Sequence, residues 1–500
     1  MRYKLFLILL IIIGFFFRLH GLDKNYSFWN DEEYVAIFTR AILEHGRPIL
    51  ANGYSSGIYQ WLQYWLSAIS AKIFGLNEFA LRFPSVVFGI LTIWAIFLLG
   101  REMFGRNVGL VAAFFTTFLK IEILWSRQAR PYQALQFFSL LGAWFIYKLT
   151  KEEKFNWRYL LGFLFCGFLA SLMHGLGLII FFCGFLYLLF FCPFWIKKQW
   201  RLLSLGVILV VNLLLIYFFW PSFLRTISNI GQINNLFYYR VFLTHNYLFI
   251  SLFSFLGFIW LGFKKKYKEL LIFIVFLGSQ LIIVSFFLPK PFVRYLYIVF
   301  PFLVLLSAFG LWQTSKYLGS FIKRPKYLIP SIQYLILFAL VFSVVTFGHK
   351  FAFLPQPVYS LNEDMQEIPE VDYQKIYALI KKKLEISPQA VFISNWNDHP
   401  IWYLGEGQPK YLLRKQGFPP LSKDEVSGAI YIQNLEEFSQ VIKNVSQGII
   451  LLESWDDVVP QDAREYIKAN LKKEYELDRL YPAQPRLWPV EVYSWGMDKN

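Results

Sequence analysis

Charge is scarce in this 500-residue chain: Asp, Glu, Lys and Arg make up 16% of it, against 56% hydrophobic and 20% aromatic residues. Soluble globular domains carry about 25% charged residues, so a wholly soluble protein is excluded, in line with a mean hydropathy of +0.44. Cysteine is nearly absent. Cys166, Cys183 and Cys192 lie in or beside apolar runs, odd in number and without metal-ligand spacing. They read as buried thiols, which excludes a disulfide framework or a zinc cluster. No small-residue cleavage site follows the apolar stretch Leu5 to Phe17, so this stretch reads as an uncleaved first span. Internal repeats and low-complexity tracts are also missing.

What the chain has instead is a series of apolar runs of roughly 17 to 25 residues, long enough to cross a hydrocarbon core as helices. The formal charge of +16 does not point to nucleic acid, because the basic residues punctuate these runs on alternate loops. They fall at Arg2 and Lys4; Arg101 and Arg106; Lys148, Lys151, Lys154 and Arg158; Lys197, Lys198 and Arg201; Lys264 to Lys268; and Lys316 to Lys326. Taking those loops as cytoplasmic places spans near 4–19, 83–100, 104–122, 133–149, 159–173, 176–194, 202–219, 247–263, 269–288, 295–313 and 327–347. The expectation is a multi-span α-helical membrane protein of about 11 transmembrane helices. Its N-terminus is cytoplasmic and its C-terminus extracytoplasmic.

This topology gathers the polar features at the outer ends of the helices: Asp31 and Glu32, the segment Lys120 to Tyr132, His174, the loop Pro221 to Asn246, and Pro289 to Arg294. Carboxylates that close to a hydrocarbon span must be compensated or used, which makes Asp31 and Glu32, in the acid-rich segment Trp29-Asn30-Asp31-Glu32-Glu33, the leading catalytic candidates. The first outer loop, 18–82, predicts a short helix from Asp31 to His45, capped by Asn30 or Asp31 and stopped at Gly46. A second helix over Ile58 to Phe74, rich in Trp and Tyr, suits a membrane interface.

Near His349 the character changes. Residues 1–350 read as the membrane-embedded domain, and 351–500 as a soluble extracytoplasmic α/β domain. Its helices are expected at Val371–Leu384, Leu435–Lys443 and Gln461–Lys472. Its strands are expected at Ala390–Ser394, Ala429–Ile432, Gly448–Leu452 and Glu491–Tyr493.

Five segments in order carry a resemblance: WNDEEY after span one, GLNEFALRFPSVVFGILTIWAIFLLGREMFGRNVGLVAAFF, WSRQARPYQAL, LMHGLG, and RYLYIVFPFLVLLSAFGLW. Over residues 1–350 the chain resembles the polyprenyl-phosphate-dependent glycosyltransferases of the GT-C superfamily, which include protein O-mannosyltransferases and the aminoarabinose transferase for lipid A. The resemblance implies a hexosyl- or pentosyltransferase acting with inversion. Its partners would be a polyprenyl-phosphate-linked sugar donor, a glycan, lipid or protein acceptor, and membrane lipid, with no nucleic acid. Asp31 matches the first-loop catalytic aspartate, a general base for the acceptor hydroxyl, and Glu32 the acid that follows it. The leaving lipid phosphate needs positive charge, for which arginine's fork is suited. Arg130 matches the arginine of the family's Glu-Ala-Arg motif, Arg127 lies three residues before it, and Arg294-Tyr295 match an Arg-Tyr pair. Gln128 stands where that motif has glutamate, and Glu122 is the alternative source of negative charge. Tyr132, His174 and Arg82 complete the candidate substrate contacts.

Each candidate also has a plainer reading. Asp31 and Glu32 could simply cap a helix, Arg127 and Arg130 anchor headgroups, His174 pack, and Arg82 anchor the second span. Asp398 and His399 could pair for metal or acid–base work, but Asn-Trp-Asn-Asp-His-Pro reads more simply as a turn opening a helix. A divalent cation could sit where acids meet phosphate. No Asp-x-Asp triplet lies near the site, so no metal ligand is assigned. A transporter or flippase of lipid-linked glycans is the rival class; paired Gly/Pro-interrupted helices and charges at mid-depth, the marks of a transporter, are not seen.

Overall fold

The computed structural model describes residues 2–57, 60–151, 155–191, 198–218, 231–322, 329–365, 368, 370–415, 417, 419, 422–453, 458–477 and 489–497. Lys154, Lys197, Cys192, the 221–230 part of the loop and the basic residues 323–326 lie outside the described residues, as do the side chain of Arg201 and the start of the Ile58 helix. The chain forms two compact units. One comprises Met1–Leu22, Ile58–Gln63 and Arg82–Gln366, and the other Asp23–Gly57, Tyr64–Leu81 and Glu367–Asn500. Most of the first loop therefore belongs to the same unit as the C-terminal sheet.

The first unit is helical. Among the described residues, four helices can cross a membrane by length and composition: Tyr3–Lys24, Glu78–Phe104, Tyr267–Phe286 and Pro330–Gly348. A fifth is added if Leu236–Asn246 and Leu248–Phe263, bent by 104° at their junction, form one broken span. Shorter apolar helices occupy Trp157–Met173, Gly175–Phe190 and Leu205–Tyr217. The run expected at 104–122 is not one helix. It breaks at Leu119, which leaves the helical region at φ −63°, ψ 126°, because the chain there pairs strand-like with the segment around Phe351. Lys120 N–H donates to the Lys350 carbonyl, and Ala352 N–H donates to that of Phe118, both at 2.8 Å. Pairing across the break satisfies backbone groups that the helix would otherwise have bonded. Cys166 and Cys183 are buried free thiols, as their apolar setting implies.

Helices Leu248–Phe263 and Phe300–Ser320 pack closely through glycine. A Cβ on Gly310 would lie 2.0 Å from the Phe253 carbonyl oxygen, and one on Gly257 2.3 Å from that of Leu306. Small residues let helix backbones approach where lipid offers no hydrophobic drive to association.

The second unit contains a six-stranded sheet: β1 Val391–Ser394, β2 Tyr411–Leu413, β3 Ile430–Ile432, β4 Gly448–Glu453, β5 Lys472–Leu477 and β6 Val490–Trp495. The spatial order is β3-β2-β1-β4-β6-β5, parallel from β3 to β4 and antiparallel at β6 and β5. Strand alternation sends Phe392, Ile449, Leu451 and Val492 to one face, under Ile376, Tyr377 and Ile380 of the helix Tyr373–Ile386. Ile393, Ile450, Leu452 and Tyr493 face the other side, against Phe438, Ala463 and Ile467 of the helices Leu435–Asn444 and Gln461–Asn470. With helices on both faces, β4 is buried along its whole length. β2 and β5 were not expected as elements, whereas the helix Asp398–Leu404 opens where the Asn-Trp-Asn-Asp-His-Pro turn placed it. β5 reads Lys-Lys-Glu-Tyr-Glu-Leu, and as a solvated edge strand it shows no apolar alternation.

The glycine contact generates a test. Gly310→Val forces overpacking and is expected to cost about 1–3 kcal/mol, read as a lower thermal midpoint of the purified chain in nanodiscs. Gly262→Val, on the same helix pair where an added Cβ meets nothing within 4 Å, should leave the midpoint unchanged.

Candidate functional site

The first-loop helix runs Asn30–His45 and ends at Gly46 in the left-handed region, φ 75°, where glycine is favoured. Its start differs from expectation. Trp29 is the N-cap, with no side-chain cap bond, so neither Asn30 nor Asp31 caps it and the acids are directed elsewhere. Glu32 and Glu33 are fully buried, whereas Asp31 is half-buried.

Glu33 meets residues from the C-terminal part of the chain. Its Oε1 contacts His399 Nδ1. The opposite ring nitrogen, Nε2, faces Glu453 Oε1 at 3.8 Å. Tyr373 stacks on the imidazole at 4.0 Å between centroids and donates its hydroxyl hydrogen to Glu453 Oε2 at 2.6 Å. Asp398 completes the group, its Oδ1 accepting from the His399 backbone N–H at 3.1 Å. All of these residues are essentially without solvent exposure. Burial, followed by the charges of Asp398 and Glu453, pushes Glu33 well above the usual carboxylate range. Burial lifts Asp398 to about 7, with Asp31 adding to the rise, and lowers His399 to about 3. The turn-and-helix reading of Asn397-Asp398-His399 is right for the backbone, since a helix spans Asp398–Leu404. The two side chains lie buried beside Glu33, with one ligand-capable atom of each of the three within 4.8 Å of the others. Glu33 and Glu453 were missed: Glu33 was legible only as one more acid of the segment Trp29–Glu33, and Glu453, at the end of an apolar strand, gave no local signal.

The arginines lie in the first unit. Arg127 is fully buried, and its guanidinium donates to five backbone carbonyls: Phe17 and Arg18 at 3.4 Å, His20 at 2.5 Å, Gly21 at 3.0 Å and Pro357 at 2.6 Å. It is a backbone staple in this structure. Arg130 is placed differently, 3.4 Å from both Gln60 Oε1 and the Tyr132 hydroxyl, and 5.4 Å from the Tyr132 ring centroid. Tyr132 lies 5.6 Å from the His174 ring and 6.4 Å from that of Tyr295. Arg130, Tyr132, His174 and Tyr295 therefore form one group of neighbours. His174 Nδ1 accepts from the Leu176 N–H at 3.1 Å and caps the turn that follows. Arg294 lies over the Phe292 ring at 4.0 Å and 5.6 Å from that of its neighbour Tyr295. Arg82 is buried.

Glu122 lies in a buried polar network, accepting from Gln136 Nε2 at 3.1 Å and from the Tyr297 hydroxyl at 3.0 Å. Arg18 is also fully buried, its guanidinium donating to the carbonyls of Gly14 and Thr116, and it attracts Glu122 electrostatically. Fully buried charges are therefore present in the helical unit, contrary to the impression from the sequence. Arg18 reads there as a cation at a helix end, and the glutamines as neutral, so nothing in the pattern announced the network.

In its overall fold the chain is similar to ArnT from Cupriavidus metallidurans bound to undecaprenyl phosphate, with a TM-score of 0.59 at 14% identity over 98% of this chain and 97% of that one. It is also similar to the archaeal oligosaccharyltransferase AglB from Archaeoglobus fulgidus, in complex with an inhibitory peptide and a dolichol-phosphate, with a TM-score of 0.54 at 14% identity over 90% of this chain and 69% of that one. The protein therefore has the GT-C fold: a multi-span helical membrane protein carrying C-terminal strands. Within it, residues 61–218 match the family model of dolichyl-phosphate-mannose-protein mannosyltransferases. Two relatives align over shorter stretches, an uncharacterized protein of Aquifex aeolicus (strain VF5; 28% identity, 31% of this chain) and the putative mannosyltransferase YkcB of Bacillus subtilis (strain 168; 24%, 26% of this chain). The aligned part spans about a third or less of these relatives, 32% and 20% of their lengths. The resemblance to GT-C glycosyltransferases seen in the five motifs is thus borne out.

The two arginines are separable by experiment. Arg127→Met strips five carbonyls of their charged donor and is expected to cost about 3 kcal/mol or more in stability, read as the thermal midpoint in nanodiscs. Arg130→Met should cost clearly less; the opposite ranking would contradict the staple.

Proposed function

We propose that this chain is a membrane glycosyltransferase that moves a monosaccharide from a polyprenyl-phosphate donor to an extracytoplasmic acceptor with inversion. The observation that carries this reading is the likeness of fold over 98% of the chain to ArnT, a protein solved with undecaprenyl phosphate bound. The family match over residues 61–218 supports the same class. In this reading Asp31 is the general base that takes the acceptor hydroxyl proton as the oxygen attacks the anomeric carbon. It differs from the fully buried Glu32 and Glu33 in being only partly buried. Glu32 is its acidic neighbour or orients the acceptor.

Negative charge grows on the departing phosphate, and Arg130 with Arg294 would stabilise it, each already set against aromatic rings that restrict its fork. Arg127 contributes by holding the turn that carries Arg130. Tyr132 and His174 would line the donor's path. The basic loops imply a cytoplasmic N-terminus and an extracytoplasmic C-terminal domain in the cell membrane.

The test uses the full chain in nanodiscs with a polyprenyl-phosphate-linked sugar. Release of polyprenyl phosphate is expected from the unaltered chain, and Asp31→Asn should lower it about 10²- to 10⁴-fold at unchanged thermal midpoint. Sugar-lipid translocation that survives Asp31→Asn, with no release at all, would replace this reading with transport.

A further inference from the structure

The strongest unexplained feature is the sealed group around His399. Two crossovers leave the sheet's parallel strands on opposite faces. Helix Asp398–Leu404, between β1 and β2, packs with the core that holds Tyr377. Helix Leu435–Asn444, between β3 and β4, packs on the other. The strand order therefore reverses between β1 and β4, the point at which open α/β sheets form a crevice beyond the carboxyl ends of their strands. Asp398 and His399 follow β1 there, and Glu453 closes β4. Asn395 locks the two strand ends together, its Nδ2 donating to the Glu453 carbonyl and its Oδ1 accepting from the Glu453 N–H at 3.0 Å.

Into this crevice the first-loop helix inserts Glu33. One ligand-capable atom from each of Glu33, Asp398 and His399 lies within 4.8 Å of the others, and all three residues are buried. Three carboxylates and one imidazole share this volume, yet the hydrogen bonds described inside it leave Glu33 Oε2 with no partner among the described residues. A buried acceptor facing other acceptors is costly unless a cation or proton joins them. The imidazole has the arrangement of a metal ligand: Nδ1 turned to Glu33, and Nε2 turned to a carboxylate that is itself held by Tyr373. A carboxylate behind a ligating histidine fixes its tautomer and orientation.

We propose that Glu33, Asp398 and His399 bind one divalent cation of the zinc class, which fastens the first-loop helix to the carboxyl end of β1. Two carboxylates and a neutral imidazole balance a dication. The nitrogen ligand selects zinc over magnesium or calcium, which take oxygen. With no exposure to solvent the site is structural, and Asp31, two residues before Glu33, is positioned through it. The inference does not depend on the glycosyltransferase reading, because metal content is measured without substrate.

The experiment uses the full chain in nanodiscs, purified without metal resin, equilibrated with zinc sulfate, desalted and analysed for zinc by mass spectrometry. One zinc per chain is expected. Glu33→Gln and His399→Gln should each reduce it at least tenfold. His45→Gln, which removes the histidine of the trio Glu44, His45 and Glu406, the first two exposed and the third part-buried, should retain it. Should the buried variants fail to fold, the unaltered chain decides: dipicolinate should lower its thermal midpoint, zinc should restore it, and excess magnesium should not. Zinc at background level with no chelator effect would overturn the proposal in favour of a proton-shared cluster. Loss of zinc in His45→Gln alone would overturn it in favour of surface binding.

Discussion

A guanidinium with nowhere to meet water must find oxygen, and Arg127 finds it in five backbone carbonyls. Four belong to the exit of the first helix and one to Pro357, so a single buried fork ties the chain's beginning and the end of its helical unit to the turn at Ser126–Arg130. Carbonyls at a helix end have no partner within the helix, and a fixed planar donor satisfies several at once where a lysine could not. This contact orients the turn from which Arg130 reaches Tyr132.

The same constraint shapes the other polar groups. Glu122 is held by Tyr297 and Gln136, with Gln133 donating to Gln136 and to Thr92. In the second unit Glu33 and His399 are set against Glu453 and Tyr373. Each network removes ionisable groups from water and replaces hydration with fixed partners, which makes it rigid, since losing one member strands the rest. Rigid supports of this kind are what a site needs if its reacting groups are to be held in one geometry.

Much of the architecture was legible along the chain. The helix after the first span, its end at Gly46, the helices at Tyr373, Leu435 and Gln461, and strands β1, β3, β4 and β6 all fall where apolar periodicity and turn residues place them, within a few residues. Their signals are local. β2, β5 and the break at Leu119 were not legible, because each is stabilised by a partner distant in sequence: β2 between β1 and β3, β5 along β6, Leu119 against Phe351. Arg127 and Arg130 lie three residues apart, a spacing that on a helical turn would put them on one side. The segment instead folds as a tight turn, with the Arg130 N–H bonded to the Gln128 carbonyl, and the two side chains part.

The sequence by itself determined that this is a membrane-embedded chain with a mixed C-terminal domain, and which motifs mark it as GT-C-like, because hydropathy, periodicity and short motifs are properties of neighbouring residues. Tertiary structure alone decided which acids are fully buried and which only partly. Asp31, Glu32 and Glu33 are indistinguishable in composition, yet a helix that buries two of them leaves the first half-open and carries the third to His399, 366 positions away. Burial depends on what packs against a side chain, and that is set by the sheet's crossover and not by any residue beside it.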